Sequence, residues 1–164
     1  MIIGDGQNEK WYLQAVKRTL ANKFVRIEPV FPGKSSIVKQ QNIILDNVDK
    51  PFNKIFWIVD LDQILHQNQL EYLRKAVTDL SKKYDKIEIL INNPCLELWF
   101  LLHFEYTAKI FPKCNDVITS LKKYLNDYAK TEKYFLNPRS SIFEKLQDKT
   151  PAAIAHAKRL GNFD

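Results

Sequence analysis

The chain is poor in the residues from which zinc sites and disulfide frameworks are built. It carries two cysteines, Cys95 and Cys114, in 164 residues. They form neither a spaced metal pair nor a disulfide framework, so the expectation is a reduced thiol pair in a cytoplasmic protein. The histidines, His66, His103 and His156, are scattered, and no His-x-x-x-His spacing offers a zinc site. No apolar run approaches the ~20 residues that cross a bilayer, so no membrane association is expected. The opening Met1-Ile2-Ile3-Gly4 is too short for a signal peptide and leads straight into a motif. Internal repeats and low-complexity stretches are also missing.

What is there suits an ordinary folded domain. Apolar residues make up 45% of the chain, enough to supply a core. Lys and Arg total 25 against 19 Asp and Glu, a net charge of +6. That balance fits a polyanionic partner such as DNA or RNA without specifying one. The length suits a single domain spanning 1–164.

Strand-like and helix-like segments alternate over residues 1–112. Met1 to Gly4 reads as a short buried strand, and Gly4-Asp5-Gly6 as a tight turn. Glu9 to Lys23 reads as a helix with Tyr12, Ala15, Val16, Thr19 and Leu20 on its apolar side. Phe24 to Phe31 predicts a strand, and Ser35 to Asp46 a helix capped by Ser35 or Ser36. The run Lys54 to Asp60 holds a continuous β-branched and aromatic stretch from Ile55 to Val59, the mark of a strand buried on both faces. Gln67 to Tyr84 predicts a helix and Lys86 to Ile91 a strand. Asn93-Pro94 then predicts an N-cap and first helical residue for an apolar helix from Leu96 to Phe104. Residues 113–164 carry only helical patterns, at Asp116 to Tyr128, Pro138 to Gln147 and Pro151 to Leu160. The pattern predicts an α/β protein: a mostly parallel, Rossmann-like central sheet flanked by helices, with a helical C-terminal extension.

Ligand sites in such sheets gather beyond the carboxyl ends of the strands, and the acids fall there. The first strand leads to Asp5 and, one helical turn on, Glu9. The third ends in Asp60-Leu61-Asp62, whose two carboxylates share a side if the chain stays extended. The fourth runs through Asn92-Asn93-Pro94 to Glu97. Asp5, Glu9, Asp60 and Asp62 brought together would repel one another without a cation, and hard oxygen ligands select Mg²⁺ or Mn²⁺. Each acid also has a plainer reading. Asp5 suits a turn, Asp-x-Asp suits a solvated loop, and Glu9 and Glu97 suit helix N-termini. The order of turn acid, helix acid and strand ending in Asp-x-Asp favours the metal reading.

That order resembles the Toprim domain. The motifs are Gly4-Asp5-Gly6-Gln7-Asn8-Glu9-Lys10-Trp11-Tyr12 and Phe56-Trp57-Ile58-Val59-Asp60-Leu61-Asp62. The block from Asn93-Pro94-Cys95-Leu96-Glu97-Leu98-Trp99 to Phe104 is similar to the signature of the RloB-like proteins, and Ala155-His156-Ala157-Lys158 adds to the likeness. The resemblance implies a metal-dependent nuclease fold, found near restriction and phage-defence genes and often beside an AAA- or ABC-type ATPase partner. It implies catalytic roles for Asp5, Glu9, Asp60, Asp62 and Glu97, with Asp5, Glu9, Asp60 and Asp62 holding metal. By analogy with related nucleases, Lys158 would stabilise the phosphate or leaving group. The chain departs from the pattern at Asp5, where the family usually has Glu, and at Asn8, where Thr is common. Aspartate is one methylene shorter and needs a closer approach.

In this reading Lys122, Lys123, Lys130, Lys133, Arg139 and Arg159 would follow the nucleic-acid backbone. Tyr124, Tyr128, Tyr134 and Phe135 offer stacking surfaces, although core packing accounts for most of them. Two rivals remain. A haloacid-dehalogenase-type phosphatase would use Asp60 as nucleophile, but Gln63-Ile64-Leu65 lacks the hydroxyl residue that reading wants. A non-catalytic Toprim-like module would bind a partner ATPase or nucleic acid. Self-association into a homo-oligomer is compatible with all of these.

Overall fold

The computed structural model describes residues 1–4, 6–21, 25–28 and 36–161. Its centre is a parallel sheet of β1 (Ile2–Gly4), β2 (Ile27–Glu28), β3 (Ile55–Asp60) and β4 (Ile87–Asn92), in the order β2-β1-β3-β4. Nearly all of the stretch flanking β2, and Asp5, lie outside the described residues. The strands alternate with α1 (Gln7–Thr19), α2 (Ile37–Leu45), α3 (Leu61–His66) and α4 (Leu70–Lys83), and α5 (Glu97–Leu102) follows β4. The predicted helical extension is observed as α6 (Cys114–Leu121), α7 (Glu132–Phe135), α8 (Ile142–Leu146) and α9 (Thr150–Leu160).

The strands sort their side chains by the two-residue period. Ile55, Trp57 and Val59 of β3 are fully buried, and Ile3 and Ile87 join them on the same face. Ile37 and Ile44 of α2, Ile64 of α3, and Leu73, Ala76 and Leu80 of α4 close that face into one apolar cluster. Ser36 caps α2 by accepting the Lys39 amide. A second cluster lies away from the strands. It joins Tyr12 and Ala15 of α1, Phe100 and Leu101 of α5, and Val117, Leu121, Phe135, Ile142 and Leu146 from the extension. Arg18 of α1 also donates to the Leu136 and Asn137 carbonyls.

Four local expectations need correction. Asp60-Leu61-Asp62 is not extended: the strand ends at Asp60, which is the N-cap residue of α3, and Asp62 sits in the first helical turn. The two carboxylates therefore do not share a side by strand alternation. Asn93-Pro94 does not start a helix; its peptide bond is cis, and α5 begins at Glu97. Leu20, expected on the apolar side of α1, is 59% exposed because the helix ends just before it. Finally, Cys95 and Cys114 form a disulfide rather than a free thiol pair. Their separation of 19 residues carries no signal in the sequence, but α5 and the chain after it bring the two Cα atoms to 5.7 Å. With the pair bonded, the thiol argument for a reducing compartment lapses. Among the described residues no helix is long and apolar enough to cross a membrane.

Candidate functional site

From β1 the chain steps one way to β2 and later the other way to β3. The carboxyl ends of β1 and β3 thus flank the topological switch point, where open α/β sheets hold ligands. β1 ends at Gly4, and α1 starts after Gly6, an N-cap residue with extended backbone. Glu9 is 3% exposed and folds back over this turn. A Cβ on Gly4 would lie 3.1 Å from Glu9 Cβ, and one on Gly6 would collide with Glu9 Oε2. The glycines therefore make room for a carboxylate, a steric reason for the motif rather than a conformational one. Asp5, between them, lies outside the described residues.

Across the switch point, Asp60 ends β3 and its Oδ1 accepts a hydrogen bond from Asn92 Nδ2 at 2.9 Å. The bond follows from the register, which sets Asp60 beside Asn92 at the ends of β3 and β4. One turn on, the Asp62 amide donates to the Pro94 carbonyl at 3.3 Å, tying α3 to the β4–α5 loop. Asp62 Oδ1 is buried without a hydrogen-bond partner. Burial pushes the Asp62 carboxyl above the usual carboxylate range and Glu97 adds to the rise; the Gln63 amide, Lys130 and His66 oppose it.

Glu97 is 1% exposed and already engaged. Its Oε1 accepts from Tyr128 Oη at 2.7 Å and pairs with Lys130 Nζ at 2.8 Å. Its Oε2 lies 3.1 Å from Cys114 Sγ. Burial, and then Glu97, push the Tyr128 phenol far above its ordinary range. Cys95, Glu97 and Cys114 offer ligand atoms that all lie within 4.8 Å of one another, a candidate metal group whose sulfurs are joined to each other here. The rim acids Glu9, Asp60 and Asp62 are not part of that group.

Beside the rim, the sheet face carrying Ile58, Leu90 and Asn92 is open. A groove of about 880 Å³ runs along it, bounded by Glu9 and Tyr12 of α1, Trp99 of α5 and Lys158 of α9. Trp99 Nε1 donates to Tyr12 Oη at 2.9 Å across its wall. The structure thus brings the exposed Lys158 to the same groove as Glu9, although the two are far apart in sequence. Leu90 remains 46% exposed, so helices flank this face without closing it.

The tail residues divide. Lys122, Lys123, Lys133 and Arg139 are exposed, and Arg159 lies over the Tyr106 ring at 4.0 Å. Lys130 is spent on Glu97 instead. Tyr128 and Phe135 are 3% and 0% exposed and belong to the core, which removes them as stacking surfaces. Tyr124 is half-exposed but stacks on Phe104 and donates to Glu105. Sequence reasoning missed Asn92 as the partner of Asp60, although the Asn-Asn pair ending β4 marked the place. It also missed Tyr128 and Lys130 as partners of Glu97, for which no local pattern exists.

No curated protein and no solved structure matches the chain. The family model described as RloB-like protein matches residues 1–164. Its match over the whole length, together with the parallel sheet and the motif residues placed around its rim, makes this chain a member of the RloB-like protein family.

Proposed function

We propose that this RloB-like protein is a Toprim-type nuclease that hydrolyses a nucleic-acid phosphodiester with Mg²⁺ or Mn²⁺. The observation that carries the reading is the buried, unpartnered Oδ1 of Asp62, beside the switch point that Glu9 and Asp60 also flank. A carboxylate oxygen kept from water without a donor suits a cation, and hard oxygen donors fit Mg²⁺ or Mn²⁺. Asp60, Asp62 and Glu9 would hold the ion. Such an ion stabilises charge on the phosphoryl group and activates water.

The chain's own residues do the rest. Asn92 fixes the orientation of Asp60 through its hydrogen bond, and Gly6 leaves space for the Glu9 carboxylate. Asp5, by the resemblance, binds metal or accepts a proton from the attacking water. Lys158, at the groove, neutralises charge on the phosphate or leaving group. Glu97 holds Tyr128 and Lys130 in place and supports the centre from behind. The exposed Lys122, Lys123 and Lys133 give the nucleic acid a basic approach. The setting would be cytoplasmic anti-phage defence with an ATPase partner, in one domain that is compatible with self-association.

The engagement of Glu97 by Tyr128 and Lys130 favours a second reading, in which the chain binds nucleic acid or an ATPase without cutting. Labelled DNA and RNA panels incubated with Mg²⁺ or Mn²⁺, with and without the partner ATPase, decide between them. Metal-dependent cleavage that Asp60→Ala abolishes supports the nuclease. Binding without metal uptake or cleavage supports the module, and cleavage that survives Asp60→Ala removes the proposed centre.

A further inference from the structure

The second acidic locus, at the start of α5, has different chemistry from the rim. Cys95 and Cys114 present sulfur, and Glu97 presents one oxygen to them. Glu97 Oε1 is occupied by Tyr128 and Lys130, while Oε2 faces Cys114 Sγ at 3.1 Å. One oxygen of this carboxylate is therefore fixed by protein donors and the other is left pointing at the sulfur pair. Metal-binding carboxylates are oriented in this way by their outer partners. Lys130 Nζ also lies 3.5 Å from Cys114 Sγ, where a cation favours the thiolate over the thiol.

We propose that, once the disulfide is reduced, Cys95, Glu97 and Cys114 form a site for a thiophilic divalent cation, with Zn²⁺ the best fit. Two thiolates and a carboxylate are the ligand types zinc prefers, and three protein ligands leave a fourth tetrahedral position for water. The charges close as well: two thiolates and one carboxylate are balanced by Zn²⁺ and the Lys130 ammonium. A dithiol or phosphine reductant opens the disulfide by taking the two-electron oxidation itself and leaves two thiols. Zinc then displaces two protons from those thiols. In reverse, a low-molecular-weight disulfide oxidises the zinc-bound pair back to the Cys95–Cys114 bond. It is reduced to two thiols as it takes up two protons, and Zn²⁺ is released. Disulfide and metal are thus exclusive occupants of one locus. Cys95 follows Pro94, whose carbonyl accepts the Asp62 amide, so either occupant braces the loop behind Asp62. The site does not depend on the nuclease reading.

The test uses the full chain, stripped of metal and reduced with a phosphine under nitrogen, then titrated with Co²⁺ as the visible probe. One equivalent should produce a near-ultraviolet thiolate-to-cobalt charge-transfer band and visible d–d bands, and Zn²⁺ should bleach both. Mg²⁺ should leave them unchanged. The oxidised chain and the folded variant Cys114→Ser should give no charge-transfer band. Tyr128→Phe, which frees Glu97 from one orienting donor, should weaken cobalt binding about 10–100-fold. A reduced, folded chain that yields no thiolate band would overturn the proposal, as would a band that survives in the oxidised chain or in Cys114→Ser. Loss of nuclease activity alone bears on the rim acids and not on this site.

Discussion

The Glu97–Lys130 pair offers a sharp thermodynamic test. Glu97 is 1% exposed and Lys130 39% exposed, with Oε1 and Nζ 2.8 Å apart. Lys130→Met removes the ammonium but keeps most of the apolar stem. Removing one partner of a fully buried pair costs about 3–5 kcal/mol, because the other charge is left uncompensated. Here Lys130 stands at the boundary with water, and the Tyr128 hydroxyl still donates to the same oxygen. A charge-assisted bond of that kind retains about 1.5–3 kcal/mol, so the expected loss falls to about 2 kcal/mol. For a chain of this size that is a fall of about 4–8 °C in melting temperature. Urea denaturation of the oxidised chain gives the free energy directly, and a cycle with Glu97→Gln isolates the pair. The single changes should be strongly non-additive, with a coupling of at least about 1 kcal/mol. Additive effects, or a Lys130→Met loss under about 0.5 kcal/mol, would show that the contact is a surface ion pair of no consequence.

Three more outcomes concern the rim. The Asp62 carboxyl is raised in the folded chain, so the native state holds its proton more tightly than the unfolded state. Stability should therefore fall as pH rises from the unfolded value, near 3.9, through the folded one, and stay lowered at neutral pH. Asp62→Asn should accordingly stabilise the metal-free protein at pH 7 and match the wild type near pH 3, as denaturant midpoints across pH will show. Mg²⁺ or Mn²⁺ at a hundredfold excess over its dissociation constant should raise wild-type stability by about 2.7 kcal/mol and leave Asp60→Ala unmoved in the same melts. Gly6→Ala should bring no backbone strain, because the backbone there is extended, so any loss of stability comes from the clash of its Cβ with the buried Glu9 carboxylate. It should still weaken metal binding about tenfold in titration calorimetry, since its Cβ evicts the Glu9 carboxylate.

Local pattern carried the fold well where one force dominated. The run from Ile55 to Asp60 reads as a strand from its β-branched and aromatic residues and is one of the two inner strands of the observed order. Only the face of Ile55, Trp57 and Val59 is fully buried, however, so the expected burial on both faces is not met. The rim followed, since a strand ending in Asp60 and a glycine turn before Glu9 both fall at carboxyl ends. Pattern failed where short elements meet. Leu61 to His66 makes a six-residue helix directly after β3, too brief for periodicity to mark, so Asp62 is placed by a helical turn and not by strand alternation. Asn93-Pro94 carries the composition of a helix start, yet its peptide bond is cis and α5 starts only at Glu97. The partners of Glu97 were out of reach for a different reason. Tyr128 lies 31 residues away, and long-range pairing leaves no trace in a single sequence.

Those long-range partners bear on how the centre and the helical extension relate. The extension contributes Val117, Leu121, Phe135, Ile142 and Leu146 to the apolar cluster that holds Tyr12 and Phe100, and Cys114 to the disulfide with Cys95. It also sends Tyr128 and Lys130 onto Glu97 and Lys158 to the groove. Glu97 and Lys130 both act on the Asp62 carboxyl, in opposite directions. A change in the extension that shifts Lys130 therefore reaches the rim by electrostatics as well as by packing. In Lys130→Met, Glu97 still raises the Asp62 carboxyl while the opposing ammonium is gone. The Asp62 contribution to the pH dependence of stability should then extend to higher pH than in the wild type. If the two pH profiles superimpose, the extension supports the rim through packing alone.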